Sequence, residues 1–141
     1  MDTKIAEQII ACFKRGNKVI IFGNGGSLAD ASHFAAEFHG IGPVIALNDP
    51  AKITSIANDY DFDAIFDVQI DDISKPGDIV IGLSSSGKSQ NVIEGLAEAM
   101  SLGLEAIDFP RRGTTTQEVQ EYQYHLLHNI YLEVKELYKN T

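Results

Sequence analysis

Two strand-like segments of this chain each end in a turn of small residues that leads directly into a helical pattern. The segment at 18–22 precedes Gly23-Asn24-Gly25-Gly26-Ser27, and the segment at 79–83 precedes the serine-rich stretch 84–89. Both segments are largely apolar without alternation, as in strands that helices cover on both faces. Because parallel strands need long crossover connections, the order strand, turn, helix predicts an α/β fold with a mostly parallel, doubly wound sheet.

The rest of the chain continues this alternation. Further strand candidates lie at 44–47 and 104–109, and the other helical patterns lie at 5–13, 50–58, 91–102 and 114–138. Phe62, Ile65 and Phe66 predict a short helix, whereas Val68 and Ile70 predict a short strand or extended piece. No repeat or linker-like shift in composition interrupts the order, so residues 1–141 are expected to form a single domain.

Composition narrows the classes of function. Lys and Arg number 11 against 20 Asp and Glu, which gives a formal net charge of −9. A surface this negative repels phosphate backbones, so we expect no nucleic-acid partner, and any bound anion must be held locally. No apolar run approaches the ~20 residues of a membrane span, and the first residues lack the order of a signal peptide. The single cysteine, Cys12, cannot form an internal disulfide, so we predict a cytoplasmic protein with no membrane partner.

The first turn is a candidate anion site. Gly25 and Gly26 let the backbone approach a ligand closely, and the start of the following helix offers unpaired N–H groups. The same sequence is equally compatible with a tight connection in which Ser27 caps the helix.

The second turn has two functional interpretations. Residues 82–89 match the G-x-x-x-x-G-K-S phosphate loop of nucleotide hydrolases. That interpretation also needs an Asp after an apolar strand to organise magnesium, and the candidates are Asp49 and Asp108. Alternatively, the serine hydroxyls donate directly to a phosphate group without a metal ion.

Two helical patterns carry side chains suited to metal binding. His33 and Glu37 are four residues apart, so they share one helix face, and zinc accepts both imidazole and carboxylate ligands. The final helical pattern carries His125 and His128, and their spacing alone does not choose between them. Asn58-Asp59 is compatible with a turn, a cap or a contact to a ligand hydroxyl.

These motifs resemble the sugar isomerase (SIS) domain, and specifically its phosphoheptose isomerase branch. The resemblance rests on GNGGSLADASHFAAEF (23–38), IANDYDFDAIF (56–66), GLSSSGKSQNVIEGL (82–96) and QEYQYHLLH (120–128), in the family's order. The serine-rich turn then corresponds to the family's sugar-phosphate loop, with Lys88 where Asn is usual. The resemblance implies a three-layer, flavodoxin-like fold with helices on both sides of the sheet.

The resemblance also implies functional roles. His33, Glu37, Gln120 and His128 correspond to ligands of one zinc ion, with Glu37 also the base and His128 the acid. The implied substrate-binding residues are Asn24, Gly25, Gly26, Ser27, Glu37, Asn58, Asp59, Ser84, Ser85, Ser86, Ser89 and Gln120. The implied enzyme is a cytoplasmic homotetramer with active sites between subunits. It converts sedoheptulose 7-phosphate to D-glycero-D-manno-heptose 7-phosphate for heptose synthesis in lipopolysaccharide or capsule.

The spacing of Gln120 and His128 adds a geometric condition. Eight residues of straight helix rise roughly 12 Å, which is far for two ligands of one metal ion. We therefore expect either an irregular helix start near Gln120 or one ligand from a neighbouring subunit.

Two other classes of function are weighed against the isomerase: a non-catalytic SIS module that binds a sugar phosphate or acts as an adaptor, and a small nucleotide hydrolase. The complete set of metal positions favours the isomerase, because a binding module needs no such set. The segments at 39–43 and 108–116 are shorter than their usual family counterparts.

Overall fold

A computed structural model of the chain describes residues 2–140, and a sheet of four parallel strands lies at its centre. The strands are β1 (Val19–Gly23), β2 (Val44–Ala46), β3 (Ile79–Leu83) and β4 (Glu105–Asp108), in the spatial order β2-β1-β3-β4. Every residue of β1 and β3 is buried, whereas the two edge strands are partly exposed. The predicted α/β fold is confirmed, and the sheet is parallel at every strand pair.

Helices cover both faces of this sheet. They are α1 (Asp2–Lys14), α2 (Gly26–Glu37), α3 (Pro50–Asp59), α4 (Asp67–Ile73), α5 (Gln90–Ser101) and α6 (Thr116–Lys139), with a 3-10 turn at Phe62–Ala64. Side chains of β1 alternate between two core clusters: Val19 and Ile21 pack with α1, α2 and α6, and Ile20 and Phe22 pack with α3, α4 and α5. Within residues 2–140, no helix combines the length and apolar character that a membrane crossing requires.

The prediction of a strand or extended piece at Val68 and Ile70 is wrong, because both residues lie in α4. Ile70 is buried in the same core cluster as Ile65 and Phe66, and its spacing of four residues from Phe66 is that of side chains on one helix face. The side chain of Gln69 reinforces the helix, since its Nε2 donates to the Ile65 carbonyl at 2.8 Å. The apolar spacing fits a period of 3.6 better than a period of two.

A buried carboxylate joins the amino-terminal ends of the two central strands. Asp78, which is 1% exposed, accepts hydrogen bonds from Lys18 Nζ (2.6 Å), Asn17 Nδ2 (2.8 Å) and the backbone N–H groups of Lys18 and Lys75. Burial by itself would raise the pKa of Asp78, but these donors outweigh it and hold the pKa below its ordinary value. The network fixes β1 beside β3 at the end of the sheet opposite the two glycine- and serine-bearing turns.

The chain order creates a crevice at the carboxyl ends of β1 and β3. These strands are paired as far as Gly23 and Leu83. From β1 the chain continues to β2 on one side, and from β3 it continues to β4 on the other. Ligands of doubly wound sheets bind where the strand order reverses in this way. The glycine-bearing turn after β1 and the serine-rich turn after β3 both lie at this crevice.

Candidate active site

Three side chains from two helices converge beside the sheet. His33 and Glu37 lie one turn apart on α2, and His128 lies on α6. Glu37 Oε1 is 3.6 Å from His33 Nε2 and 3.7 Å from His128 Nε2. One ligand atom from each residue lies within 4.8 Å of the others, which is a spacing that a single metal ion can bridge.

The donor set fits a metal ion. Glu37 Oε1 is buried and has no hydrogen-bond partner among the described residues, and an unpaired buried carboxylate oxygen is costly. A cation bound between this oxygen and the two imidazoles would satisfy it. Two His nitrogens and one carboxylate oxygen are ligands that zinc accepts, with a further position left for another ligand.

The structure also separates the two histidines of the final helix. His128 lies against His33, with ring centroids 5.5 Å apart, and against Tyr124, at 4.4 Å. His125 is exposed, and it is not among the residues whose ligand atoms converge with those of His33 and Glu37. The packing of α6 on α2 therefore selects His128, a choice that the spacing left open.

Gln120 lies on α6 eight residues before His128, and its amide lies against the start of α2. Helix α6 is continuous from Thr116, and the Thr115 side chain caps it by accepting from Glu118 N at 3.1 Å. The expected irregular start near Gln120 is therefore wrong. The Gln120 amide packs on the first turn of α2, where a Cβ added to Gly26 would lie 2.5 Å from its Nε2.

Asp30 is a site residue that the sequence analysis missed. It is 8% exposed and occupies the same face of α2 as His33 and Glu37, three and seven residues before them. Burial raises the pKa of Asp30, while a hydrogen bond with Gln120 and the nearby His33 and His128 oppose that rise. The i, i+3, i+7 spacing in the sequence was the signal that could have identified it.

The first turn presents open backbone at the start of α2. Gly25 is the N-cap residue, with a φ of 55° that a side chain rarely tolerates, and the space where its Cβ would lie is empty. The alternative in which Ser27 caps the helix is wrong, because Ser27 lies inside α2 and is buried. A ligand can approach the N–H groups of this turn closely.

The serine-rich turn is ordered by its own hydroxyls. Ser84 Oγ accepts from Gly87 N at 3.0 Å and donates to Ser89 Oγ at 3.1 Å, and Ser86 Oγ accepts from Lys88 N at 3.0 Å. Ser85 is half-buried and Ser84 is buried. These hydrogen bonds hold the loop around Ser84.

The two turns are tied together by a pair of carboxamides. Asn24 Nδ2 donates to Asn91 Oδ1 at 2.8 Å, and Asn91 Nδ2 donates to Asn24 Oδ1 at 3.0 Å. Asn24 follows β1 and Asn91 lies in the first turn of α5, so the pair spans the crevice between β1 and β3. Asn91 is 1% exposed.

Comparison with known proteins places this architecture in a family. Residues 3–109 match the model of the SIS domain. The chain belongs to the SIS domain family. It is 44% identical over 116 residues to a probable phosphoheptose isomerase of Thermoplasma acidophilum, covering 77% of this chain and 64% of the relative. It is 49% identical over 115 residues to a phosphoheptose isomerase of Thermodesulfovibrio yellowstonii, covering 75% and 57%.

Solved structures agree with this assignment. Phosphoheptose isomerase GmhA from Neisseria gonorrhoeae superposes with a TM-score of 0.90 at 32% identity, covering 94% of this SIS domain and 84% of that chain. A phosphoheptose isomerase from Francisella tularensis gives 0.91 at 25% identity, covering 96% and 84%. The matched regions span less than two thirds of the two curated relatives described above.

The structure of this SIS domain argues against the nucleotide-hydrolase interpretation of residues 82–89. Asp49 caps α3, with Oδ1 accepting from Ala51 N at 2.9 Å. Asp108 binds Arg111 through both carboxylate oxygens. Both carboxylates that might have organised magnesium therefore have other roles.

Arg111 brings a cation to the serine-rich turn. Its Nη1 and Nη2 donate to Asp108 at 2.8 and 3.0 Å, which raises the pKa of Arg111 further, and Nη1 also lies 3.4 Å from the Ser84 carbonyl oxygen. A Cβ added to Gly87 would lie 2.9 Å from Nε, so the guanidinium lies directly against the loop.

Asn58 and Asp59 stand apart from these contacts. They end α3 as exposed residues, and Asn58 Nδ2 donates to Asp59 Oδ1 at 3.3 Å. Within residues 2–140, neither side chain forms a hydrogen bond with the two turns or with the three side chains that could hold a metal ion.

Proposed function

We propose that this SIS domain is a metal-dependent aldose–ketose isomerase that acts on a phosphosugar, with sedoheptulose 7-phosphate as substrate. The observation that carries the proposal is the buried, unpaired Glu37 Oε1 between the imidazoles of His33 and His128. The phosphoheptose isomerases to which the chain is similar support the choice of a heptose.

His33, Glu37 and His128 would hold zinc in this enzyme, together with Gln120. When bound, the metal supplies positive charge that stabilises the negative charge developing on the two substrate oxygens. Because α6 is regular and Gln120 and His128 are two turns apart, we propose that one ligand of each site comes from a neighbouring subunit. A shared ligand requires more than one subunit, and we propose a homotetramer with active sites at its interfaces.

The chemistry moves a carbonyl from C2 to C1 of the sugar. Glu37 takes a proton from C1, and the C1–H electron pair forms the C1=C2 bond of an enediol while the C2 carbonyl oxygen becomes a hydroxyl. Glu37 then returns the proton to C2 as the carbonyl forms at C1. His128 carries the hydroxyl proton between O1 and O2, a role suited to an imidazole.

The two turns would hold the rest of the substrate. Hydroxyls of the serine-rich turn (Ser84, Ser85, Ser86 and Ser89) and the N–H groups at the start of α5 would bind the phosphate. Asn24, Gly25, Gly26 and Ser27 of the first turn would bind sugar oxygens. Asn58 and Asp59 are proposed to bind substrate hydroxyls from the end of α3.

Proton NMR of sedoheptulose 7-phosphate in D₂O tests the function directly. Zinc-loaded protein is expected to produce an aldose signal and to introduce deuterium at carbon, and a zinc chelator should stop both. His128→Asn should show no exchange, whereas the neighbouring variant His125→Asn should behave as wild type because His125 is exposed. Folded, zinc-loaded wild type that gives no exchange would contradict the proposal and favour a non-catalytic sugar-phosphate module.

Arg111→Ala tests the phosphate end of the site. Removing the guanidinium from the serine-rich turn should raise KM for the phosphosugar by about fivefold to tenfold and change kcat little, because the contact is made equally in ground and transition states. Arg112→Ala is the matched control, since Arg112 lies over the Tyr122 ring at 5.5 Å instead. Equal KM values for Arg111→Ala and Arg112→Ala would show that Arg111 does not bind the phosphate.

A further inference from the structure

The side chains of Asn24 and Asn91 pair at the point where the strand order reverses, between β1 and β3. Asn24 belongs to the turn after β1, and Asn91 belongs to the helix that follows the serine-rich turn after β3. The two hydrogen bonds, 2.8 and 3.0 Å long, use one N–H and one lone-pair direction of each carboxamide. The second N–H of Asn24, which is half-buried, is left to bind a ligand in the crevice.

Asn91 is not placed to touch a ligand itself, because it is 1% exposed. Its side chain is also not needed to form the local structure. Helix α5 starts with backbone bonds from Val92 N and Ile93 N to the Ser89 carbonyl, both 3.1 Å long. The serine-rich turn is held by hydrogen bonds around Ser84. Among residues 2–140, the side-chain hydrogen bonds of Asn91 are therefore made with Asn24 alone.

We propose that Asn91 is a positioning residue: it fixes the carboxamide of Asn24 so that Asn24 can bind a sugar oxygen while the neighbouring loop binds the phosphate. This inference rests on the proposed isomerase function. A lone Asn side chain has two rotatable bonds, and each must be fixed when the substrate binds. The pair fixes them beforehand, which lowers the cost of binding and holds the sugar at the correct distance from Glu37.

A double-mutant cycle with kinetics on sedoheptulose 7-phosphate separates positioning from simple structural support. Asn24→Ala is expected to lower kcat/KM by at least tenfold, and Asn91→Ala by a similar factor. The double variant should lose no more than Asn24→Ala alone, because Asn91 acts only through Asn24. Inhibition by inorganic phosphate should change by less than twofold in Asn91→Ala, since the serine-rich turn keeps its own hydrogen bonds.

Two further variants make the experiment decisive. Asn140→Ala is the matched control: it removes the exposed carboxamide of the residue that ends α6, and it should behave as wild type. If Asn91→Ala does not fold, Asn91→Asp replaces it, because the carboxylate keeps the shape and the acceptor of Asn91 but loses its donor to Asn24 Oδ1.

The possible outcomes distinguish a failure of the isomerase function from a failure of the role assigned to Asn91. Wild type without turnover overturns the isomerase function and this assignment with it. Active wild type overturns the assignment alone in three cases: when Asn91→Ala has an unchanged kcat/KM, when the losses of the single variants multiply in the double variant, or when phosphate inhibition weakens in parallel with substrate binding.

Discussion

Glu37→Gln is expected to lower kcat by about 10³-fold, because it removes a general base whose contribution is typically 10²–10⁴-fold. The substitution keeps the shape of the side chain but leaves an amide that cannot accept a proton from carbon. It also replaces the buried, unpaired carboxylate oxygen between two imidazoles, so metal content should fall as well. Steady-state isomerisation and deuterium incorporation measure the first effect, and zinc analysis of the purified variant measures the second.

Glu136→Gln is the control for this experiment. Glu136 is exposed on α6, where its Oε1 lies 3.8 Å from Lys139 Nζ, so its variant should retain wild-type rate and zinc content. A Glu37→Gln enzyme that exchanges deuterium at the wild-type rate would show that another group takes the proton. Normal zinc content together with lost exchange would assign Glu37 to the proton transfer rather than to metal retention.

Asp78→Ala should give the largest loss of stability, about 3–5 kcal/mol in the free energy of unfolding, which is typical of breaking a buried ion pair. The change leaves the Lys18 ammonium, the Asn17 amide and two backbone N–H groups without their shared acceptor. Urea denaturation at pH 7 measures the loss. Asp72→Ala is the control, because Asp72 is exposed on α4 and its removal should change stability by less than about 0.5 kcal/mol.

The lowered pKa of Asp78 also makes the free energy of unfolding depend on pH. The pKa of Asp78 is lower in the folded protein than in the unfolded chain. Its stabilising contribution is therefore complete above the unfolded pKa and is lost as pH falls through the folded pKa. Wild type should lose this contribution on the acid side, whereas Asp78→Ala has none to lose. Parallel stability profiles for the two proteins between neutral and acidic pH would contradict the role assigned to Asp78.

Much of the fold could be predicted because its main signals are local. The apolar residues of β1 and β3 and the small residues after them fix two strand–turn–helix units, and the structure confirms both. The prediction of a strand at Val68 and Ile70 was wrong for a physical reason. Two apolar residues separated by one are compatible with a strand and with a helix. Only the packing of Ile70 with Ile65 and Phe66 selects the helix.

The candidate site also combines contacts that local spacing predicts with contacts that only the packing of elements decides. The sequence by itself determined the pairs that lie within one element, such as His33 with Glu37 and the serines of the turn after β3, because helix period and loop spacing place them. The tertiary structure alone decided the pairs that lie between elements. It selected His128 over His125, brought Asn24 to Asn91 and put Asp30 beside Gln120. Such contacts depend on how whole helices pack against one another, and the spacing of residues within one helix carries no information about its neighbour.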